Sequence, residues 1–169
     1  MLSFKQFILE APILDTSTEN VKQPAEYGHV KNEGKRKTIS TIGDNSVKEL
    51  SLTPTTTSYT LHTPDNKIAI KAIGSRNGDK FTIRSLDSSI GSPIKAHQFY
   101  HHLITQNGVH LHSDNIQSPG GKKVWERLRS MPGIEMKSYH PDGSYRDIPD
   151  SAKLDDYFDS PVRFSAKKK

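Results

Sequence analysis

Two Ser-Pro pairs, Ser92-Pro93 and Ser118-Pro119, place the strongest constraint on what this chain can fold into. Serine is a favoured N-cap residue, and proline suits the first helical position because its missing N–H would be unbonded there. Apolar residues recur at helical spacing after each pair, and Asn107-Gly108 supplies a left-handed stop for the first helix. The sequence therefore predicts two helices with a short apolar strand, residues 109–113, between them.

Short segments rich in β-branched and aromatic residues precede the first helix. Pro-Asp-Asn and Asn-Gly sequences separate some of them, which favours an antiparallel meander. One more strand follows the second helix. This order predicts an α+β fold, with an antiparallel or mixed sheet and two main helices. The predicted strands before the helices are residues 47–53, 57–63, 67–73 and 80–86, and the last strand is Ile134–Tyr139.

Composition divides the chain into four segments. Residues 1–11 have a narrow apolar stripe and predict a short amphipathic helix. Residues 12–46 contain few apolar residues and predict a flexible linker. Residues 47–160 form the predicted domain, and residues 161–169 a basic tail. A length of 169 residues with 32% hydrophobic content suits one domain with loose ends.

The residue types that are absent exclude several classes of site. There is no cysteine, so disulfides, thiolate nucleophiles and cysteine metal ligands are excluded. No apolar run approaches 18 residues, which predicts no contact with a membrane. The formal net charge of +5 favours anionic partners. Part of that charge lies in Lys167-Lys168-Lys169, where DNA contact and plain solvation are the two alternatives.

The residues from Met1 to Ala11 resemble the capsid-targeting peptides of internal head proteins of T4-like bacteriophages. The resemblance rests on the amphipathic decapeptide and on Ile8-Leu9-Glu10, which is similar to the cleavage pattern of prohead proteases. It implies that residues 1–10 bind capsid or prohead components and that cleavage after Glu10 leaves Ala11 at the N-terminus. It also places the chain in the host cytoplasm or in the phage virion interior. A helix that docks on the protein's own domain is the alternative.

The order of elements from residue 86 to residue 136 is similar to the GCN5-related N-acetyltransferase fold. In that family, the loop and helix after the fourth strand hold the coenzyme A pyrophosphate through backbone N–H groups. The pantetheine arm lies in a gap between the fourth and fifth strands. The resemblance implies acetyl-CoA as the cofactor. Its implied binding residues are Ser89, Ile90, Gly91, Ser92, Ile94 and Lys95.

Acetyl transfer in such a family proceeds by attack of an amine on a thioester. His112 and Asp114 are the nearest titratable residues at the end of the predicted fifth strand, so they are the candidate catalytic residues, with strand-end capping as the alternative. Trp125 stands where the family often has a tyrosine acid, and an indole N–H is too weak an acid for that role. Pro93 also removes one N–H from the phosphate-binding turn. These departures predict weak or lost transfer.

The eight histidines raise the question of a metal site. His97 and His101 are four residues apart on one predicted helix, and His110 and His112 share one face of a predicted strand. No acidic or cysteine ligand accompanies them in a metal-binding pattern, so we predict no metal. Three functions remain open: a coenzyme-A-binding acyltransferase, a packaged internal head protein without enzymatic activity, and a small host-directed binding protein.

Overall fold

The computed structural model describes residues 36–114, 117–158 and 160–169. Within these residues, nine strands form one mixed sheet with two α-helices, which confirms the predicted α+β class. A 3-10 helix, Leu154–Asp156, precedes the last strand. The strands are β1 (Lys37–Ile42), β2 (Asn45–Ser51), β3 (Thr56–His62), β4 (Ile68–Asn77), β5 (Lys80–Ser88), β6 (His110–His112), β7 (Ile134–Tyr139), β8 (Tyr145–Asp147) and β9 (Arg163–Lys168), and the helices are α1 (Ala96–Asn107) and α2 (Pro119–Arg129).

The sheet has the strand order β1-β2-β3-β4-β5-β6-β9-β7-β8. Strands β2 to β5 form the predicted antiparallel meander, and β1 extends it by one further antiparallel strand. Gly78, at φ 64°, makes the β4–β5 turn, where a left-handed residue suits a tight hairpin. After α1, β6 pairs in parallel with β5, and β9 then inserts antiparallel between β6 and β7. The parallel β5–β6 pair is therefore where the sheet changes from the meander to its second half.

The two Ser-Pro pairs have different roles. Ser118 caps α2 as predicted, since its Oγ accepts a hydrogen bond of 3.1 Å from Gly121 N–H and proline follows it. Ser92 does not cap α1, so that prediction is wrong. The Ser92 hydroxyl donates to Ile94 O at 2.8 Å within the preceding turn, and α1 begins only after Lys95. Gly108, at φ 68°, ends α1 as predicted.

The main core lies between the helices and one face of the sheet. Tyr59 and Phe81 meet edge to face at 4.9 Å between ring centroids, and both are buried. Trp125 packs between Tyr100 and Phe164, at 6.4 and 6.0 Å. Each helix directs its apolar stripe into this core, because an isolated short helix gains most of its stability from such packing. The buried helical residues are Phe99, Tyr100, Leu103, Ile104, Trp125 and Leu128.

Two segment predictions differ from the structure. Residues 12–46 were expected to be a linker, but β1 and the start of β2 lie inside that range, and Ile39 and Ile42 pack against the core. Residues 161–169 were expected to be a tail, but they contain β9, in which Phe164 and Ala166 are buried. Phe164 and Ala166 alternate with Arg163, Ser165 and Lys167, and this pattern gives β9 one apolar face for the core. The predicted N-terminal peptide, residues 1–11, lies outside the described residues.

Candidate functional site

The parallel strands β5 and β6 separate shortly after they begin. They pair only at Lys80↔His110, Phe81↔Leu111 and Thr82↔His112. β5 then continues to Ser88, whereas the chain leaves β6 after His112. The β5 edge from residue 83 to 88 therefore faces a cavity of about 400 Å³ instead of another strand.

The helices and the segment before α2 form the other walls of this cavity. Ala96 and Tyr100 contribute from α1, and Val124 and Trp125 contribute from α2. At the start of α2, a Cβ on Gly121 would lie 2.9 Å from Gln117 Oε1, so this turn is already closely packed. The lining residues are Ile83, Arg84, Ser85, Leu86, Asp87, Ser88, Ala96, Tyr100, Ser113, Asp114, Gln117, Ser118, Gly120, Gly121, Val124 and Trp125.

Tyr100 and Asp87 are the two ionisable residues of the cavity wall whose pKa values are shifted. Burial raises the pKa of the Tyr100 hydroxyl above its usual range, and the negative charge of Asp87 adds to that effect. Burial also raises the pKa of the Asp87 carboxyl, against a smaller opposing effect from Lys71. Among the described residues, the Asp87 carboxyl makes no hydrogen bond or ion pair. The carboxyl is thus available to a molecule in the cavity.

A bulge in the β4–β5 pair determines which β5 side chains share a face. Ile73 pairs with Ser85 and Gly74 pairs with Ile83, so Arg84 is the additional residue. Leu86 is opposite Ala72 and faces the helices, whereas Ser85 and Asp87 lie on the other face of the sheet. All three of these β5 residues line the cavity, because it lies along the open edge of the strand.

The predicted cofactor-binding residues form the turn between β5 and α1. Ser88 and Ala96, on either side of them, line the cavity, but these six residues do not. Three of their N–H groups already donate within the chain: Ser89 to Ala69 O at 2.8 Å, Ser92 to Ser89 O at 3.2 Å and Lys95 to Gln98 Oε1 at 2.8 Å. Binding of acetyl-CoA by this turn therefore stays a prediction, carried by the N–H groups of Ile90, Gly91 and Ile94.

The structure separates the two predicted catalytic residues. Asp114 lines the cavity, but His112 does not. The His112 ring lies against His110 at 4.5 Å and Tyr139 at 5.3 Å between centroids. Burial lowers the pKa of His112 to about 4, and the charge of His110 acts in the same direction. His112 is therefore a buried imidazole among aromatic rings, away from the cavity, and its catalytic role stays a prediction.

Sequence reasoning missed Asp87 and Tyr100 as site residues. Tyr100 lies in the apolar stripe of α1, so periodicity assigns it to the core, where most of its ring does lie. Asp87 directly follows the predicted strand, residues 80–86, and was not among the candidate residues. The available indication was chemical: a hydroxyl in an apolar stripe and a carboxylate near the end of a strand each need a polar environment.

No family model, curated protein or solved structure matches this chain. Within the described ranges, no three or more histidine, aspartate or glutamate side chains converge as metal ligands. In the same part of the chain, no helix is long and apolar enough to cross a membrane.

Proposed function

We propose that this chain is an acetyltransferase-like protein that binds acetyl-CoA in the cavity between β5 and β6, with weak or lost acetyl transfer. The parallel β5–β6 pair that separates after Thr82 carries the proposal. The resemblance of the sequence to acetyltransferases requires a gap between these two strands, and the cavity of about 400 Å³ lies in that gap.

The cavity walls suit an extended chain that contains amide groups. The β5 edge from residue 83 to 88 presents backbone N–H and C=O groups that β6 does not use, and such an edge binds extended ligands by strand-like hydrogen bonds. Val124 and Trp125 supply an apolar wall opposite that edge. The bound thioester would supply a carbonyl carbon that an amine can attack.

Asp87 and Tyr100 are the residues best placed for proton transfer. Asp87 lines the cavity from the sheet face opposite the helices, so its carboxylate can accept a proton from an amine that enters there. Tyr100, on the helix side, can donate to the departing thiolate. Its raised pKa makes the hydroxyl a weak acid, which agrees with slow transfer. Asp114 remains a second carboxylate at the cavity wall.

Trp125 gives a direct binding assay, because it is the single tryptophan of the chain and lines the cavity. We expect saturable quenching or a spectral shift on titration with acetyl-CoA, and matching heat in calorimetry. Ala96→Phe fills the cavity and should remove binding. Gln106→Phe places the same side chain at an exposed position of α1, outside the cavity, and should retain it. No response from the wild-type chain, or unchanged binding by Ala96→Phe, would contradict the proposal.

The N-terminal sequence supports a second proposal, that the chain is a packaged internal head protein cleaved after Glu10. Residues 1–10 would bind prohead components, and the virion interior would be its location. Lys168 and Lys169 are exposed at the end of β9, while Lys167 pairs with Glu135 at 3.1 Å. DNA contact by this basic end belongs to the same proposal. N-terminal sequencing of purified particles tests it, because a packaged chain should begin at Ala11.

A further inference from the structure

Lys71 is a buried lysine with no obvious structural role. It lies on β4 and is 3% exposed. Among the described residues, its side-chain amine makes no hydrogen bond or ion pair. Lysine is rarely buried without a partner, because its charged form loses hydration. Burial lowers the pKa of the Lys71 amine, and the positive charge of Arg36 lowers it further. More of this amine is therefore neutral and nucleophilic than in an exposed lysine.

The sheet register places Lys71 beside the cavity. Lys71 is directly opposite Asp87 in the β4–β5 pair, and such pairs have Cβ atoms about 4.5–5.5 Å apart. Asp87 lines the cavity. Ser85 precedes it on the same face, with a buried Oγ that has no partner in the described part of the chain. Lys71 does not line the cavity itself, but only the width of one strand, about 4.8 Å, separates its backbone from that of Asp87, which does.

We propose that Lys71 is an acyl acceptor within its own chain, taking an acetyl group from a coenzyme A thioester in the cavity. This inference rests on the thioester binding proposed above. Lys71 Nζ attacks the carbonyl carbon, so that a C–N bond forms and the C–S bond breaks. The Asp87 carboxylate takes the proton lost by the nitrogen. The departing thiolate takes a proton from the Tyr100 hydroxyl, which water restores. The products are one amide and one free thiol.

Acetylation of Lys71 removes the positive charge that makes burial of this side chain unfavourable. The amide is neutral, and it still presents an N–H and a carbonyl oxygen to Thr60, which is the cross-strand neighbour of Lys71 on β3. The acetylated chain should consequently unfold at a higher temperature than the unmodified chain. Acetylation of an exposed lysine would not have this effect.

Peptide mass spectrometry after incubation of the full chain with acetyl-CoA tests the proposal. We expect one acetyl group per chain, located at Lys71. Lys67 is the matched control, because it lies four positions away with a side chain that is 54% exposed. Lys71→Arg should abolish the main modification, and Lys67→Arg should retain it. Asp87→Asn should slow acetylation by about 100-fold, which is typical for loss of a general base.

The same samples separate failure of this inference from failure of the proposed function. Trp125 fluorescence reports binding, and it should be unchanged in Lys71→Arg and Lys71→Met. Saturable binding by the wild-type chain without acetylation at Lys71, or equal acetylation of Lys67 and Lys71, would overturn the inference and leave the proposed function intact. Absence of binding would overturn both. The position of the acetyl group in the wild-type chain tests the inference even if a variant fails to fold.

Discussion

Replacing Gly74 with alanine tests how the β4–β5 bulge shapes the cavity. Gly74 follows the register shift after Ile73, and Thr82 is the last β5 residue paired with β6. A Cβ at Gly74 would lie 2.1 Å from Thr82 O, 2.9 Å from Thr82 C and 3.0 Å from Phe81 Cε2. Two of these three atoms belong to the backbone, so a rotamer change cannot relieve the contact.

The expected loss of stability follows from this geometry. The Cβ and Thr82 O must separate by about 0.9 Å to reach the 3.0 Å below which Cβ contacts are essentially not found. Phe81 is fully buried and must move as well. Overpacking of a core typically costs about 1–3 kcal/mol, and a backbone clash belongs at the upper end, about 3 kcal/mol. For a chain of this size, that loss lowers the melting temperature by about 6–12 °C.

Thermal and urea unfolding, followed by circular dichroism and Trp125 fluorescence, measure this loss. Gly78→Ala is the matched control in the same hairpin, since a Cβ there meets nothing within 4 Å. Its cost is confined to the left-handed backbone at φ 64°, about 1 kcal/mol. Equal stability of the two variants would refute the reasoning. We also expect Gly74→Ala, but not Gly78→Ala, to weaken acetyl-CoA binding, because Thr82 is where the strands separate.

A helix cap, a buried histidine and the N-terminal peptide provide further predictions. Ser118→Ala should lower the free energy of unfolding in urea by about 1 kcal/mol, whereas Ser118→Asp should retain it, because Gly121 N–H keeps an acceptor. Burial lowers the pKa of His112 from 6.5 to about 4, so the unfolded chain binds more protons between these values. The contribution of His112 to stability should therefore be present above pH 6.5 and fall towards pH 4 by up to about 3 kcal/mol, so the decline should be shallower in His112→Asn. Co-expression with a prohead protease should yield a chain that begins at Ala11, and an intact Met1 alone would contradict the cleavage prediction.

The sequence predicted those elements whose ends are determined by local chemistry. The bounds of β7 agree with the prediction, and Ser118-Pro119 starts α2 where serine capping and proline geometry require. It did not predict β1 or β9, because four of the six residues in each strand are polar or charged, as in solvated segments. β9 is a strand because Ala166 pairs with Leu111 on one side and Met136 on the other, contacts that no local pattern contains.

The candidate site depended even more on tertiary structure. The gap between β5 and β6 was expected from the acetyltransferase resemblance, but its polar side chains were not. Arg84 is the extra residue of the bulge, and it places Ile83 and Ser85 on opposite faces of the sheet. Simple alternation along β5 therefore assigns the face of Ile83 wrongly relative to Asp87. Tyr100 was assigned to the core, and only the position of the cavity gives its hydroxyl a second role.

The observed start of α1 removes one objection to phosphate binding. Pro93 was expected at the first helical position, where it would remove an N–H from an anion site. That position belongs instead to Ala96, and the first turn of α1 contains no acidic residue. Gln98 N–H and Phe99 N–H donate to Lys95 O. Among the described contacts, the N–H groups of Ala96 and His97 have no acceptor, so they can bind a phosphate oxygen.

Ala96→Pro removes the N–H group of residue 96 and leaves the rest of the helix backbone unchanged. Proline suits the first helical position, and the preceding residue must be extended, as Lys95 already is at φ −86° and ψ 156°. Stability should therefore be unchanged. Loss of one hydrogen bond to a charged group, about 1.5–3 kcal/mol, should weaken acetyl-CoA binding by about 10- to 100-fold. Binding of acetyl-pantetheine, which lacks the phosphates, should not change. Equal losses for both ligands would mean that the proline blocks the cavity and that the end of α1 does not bind phosphate.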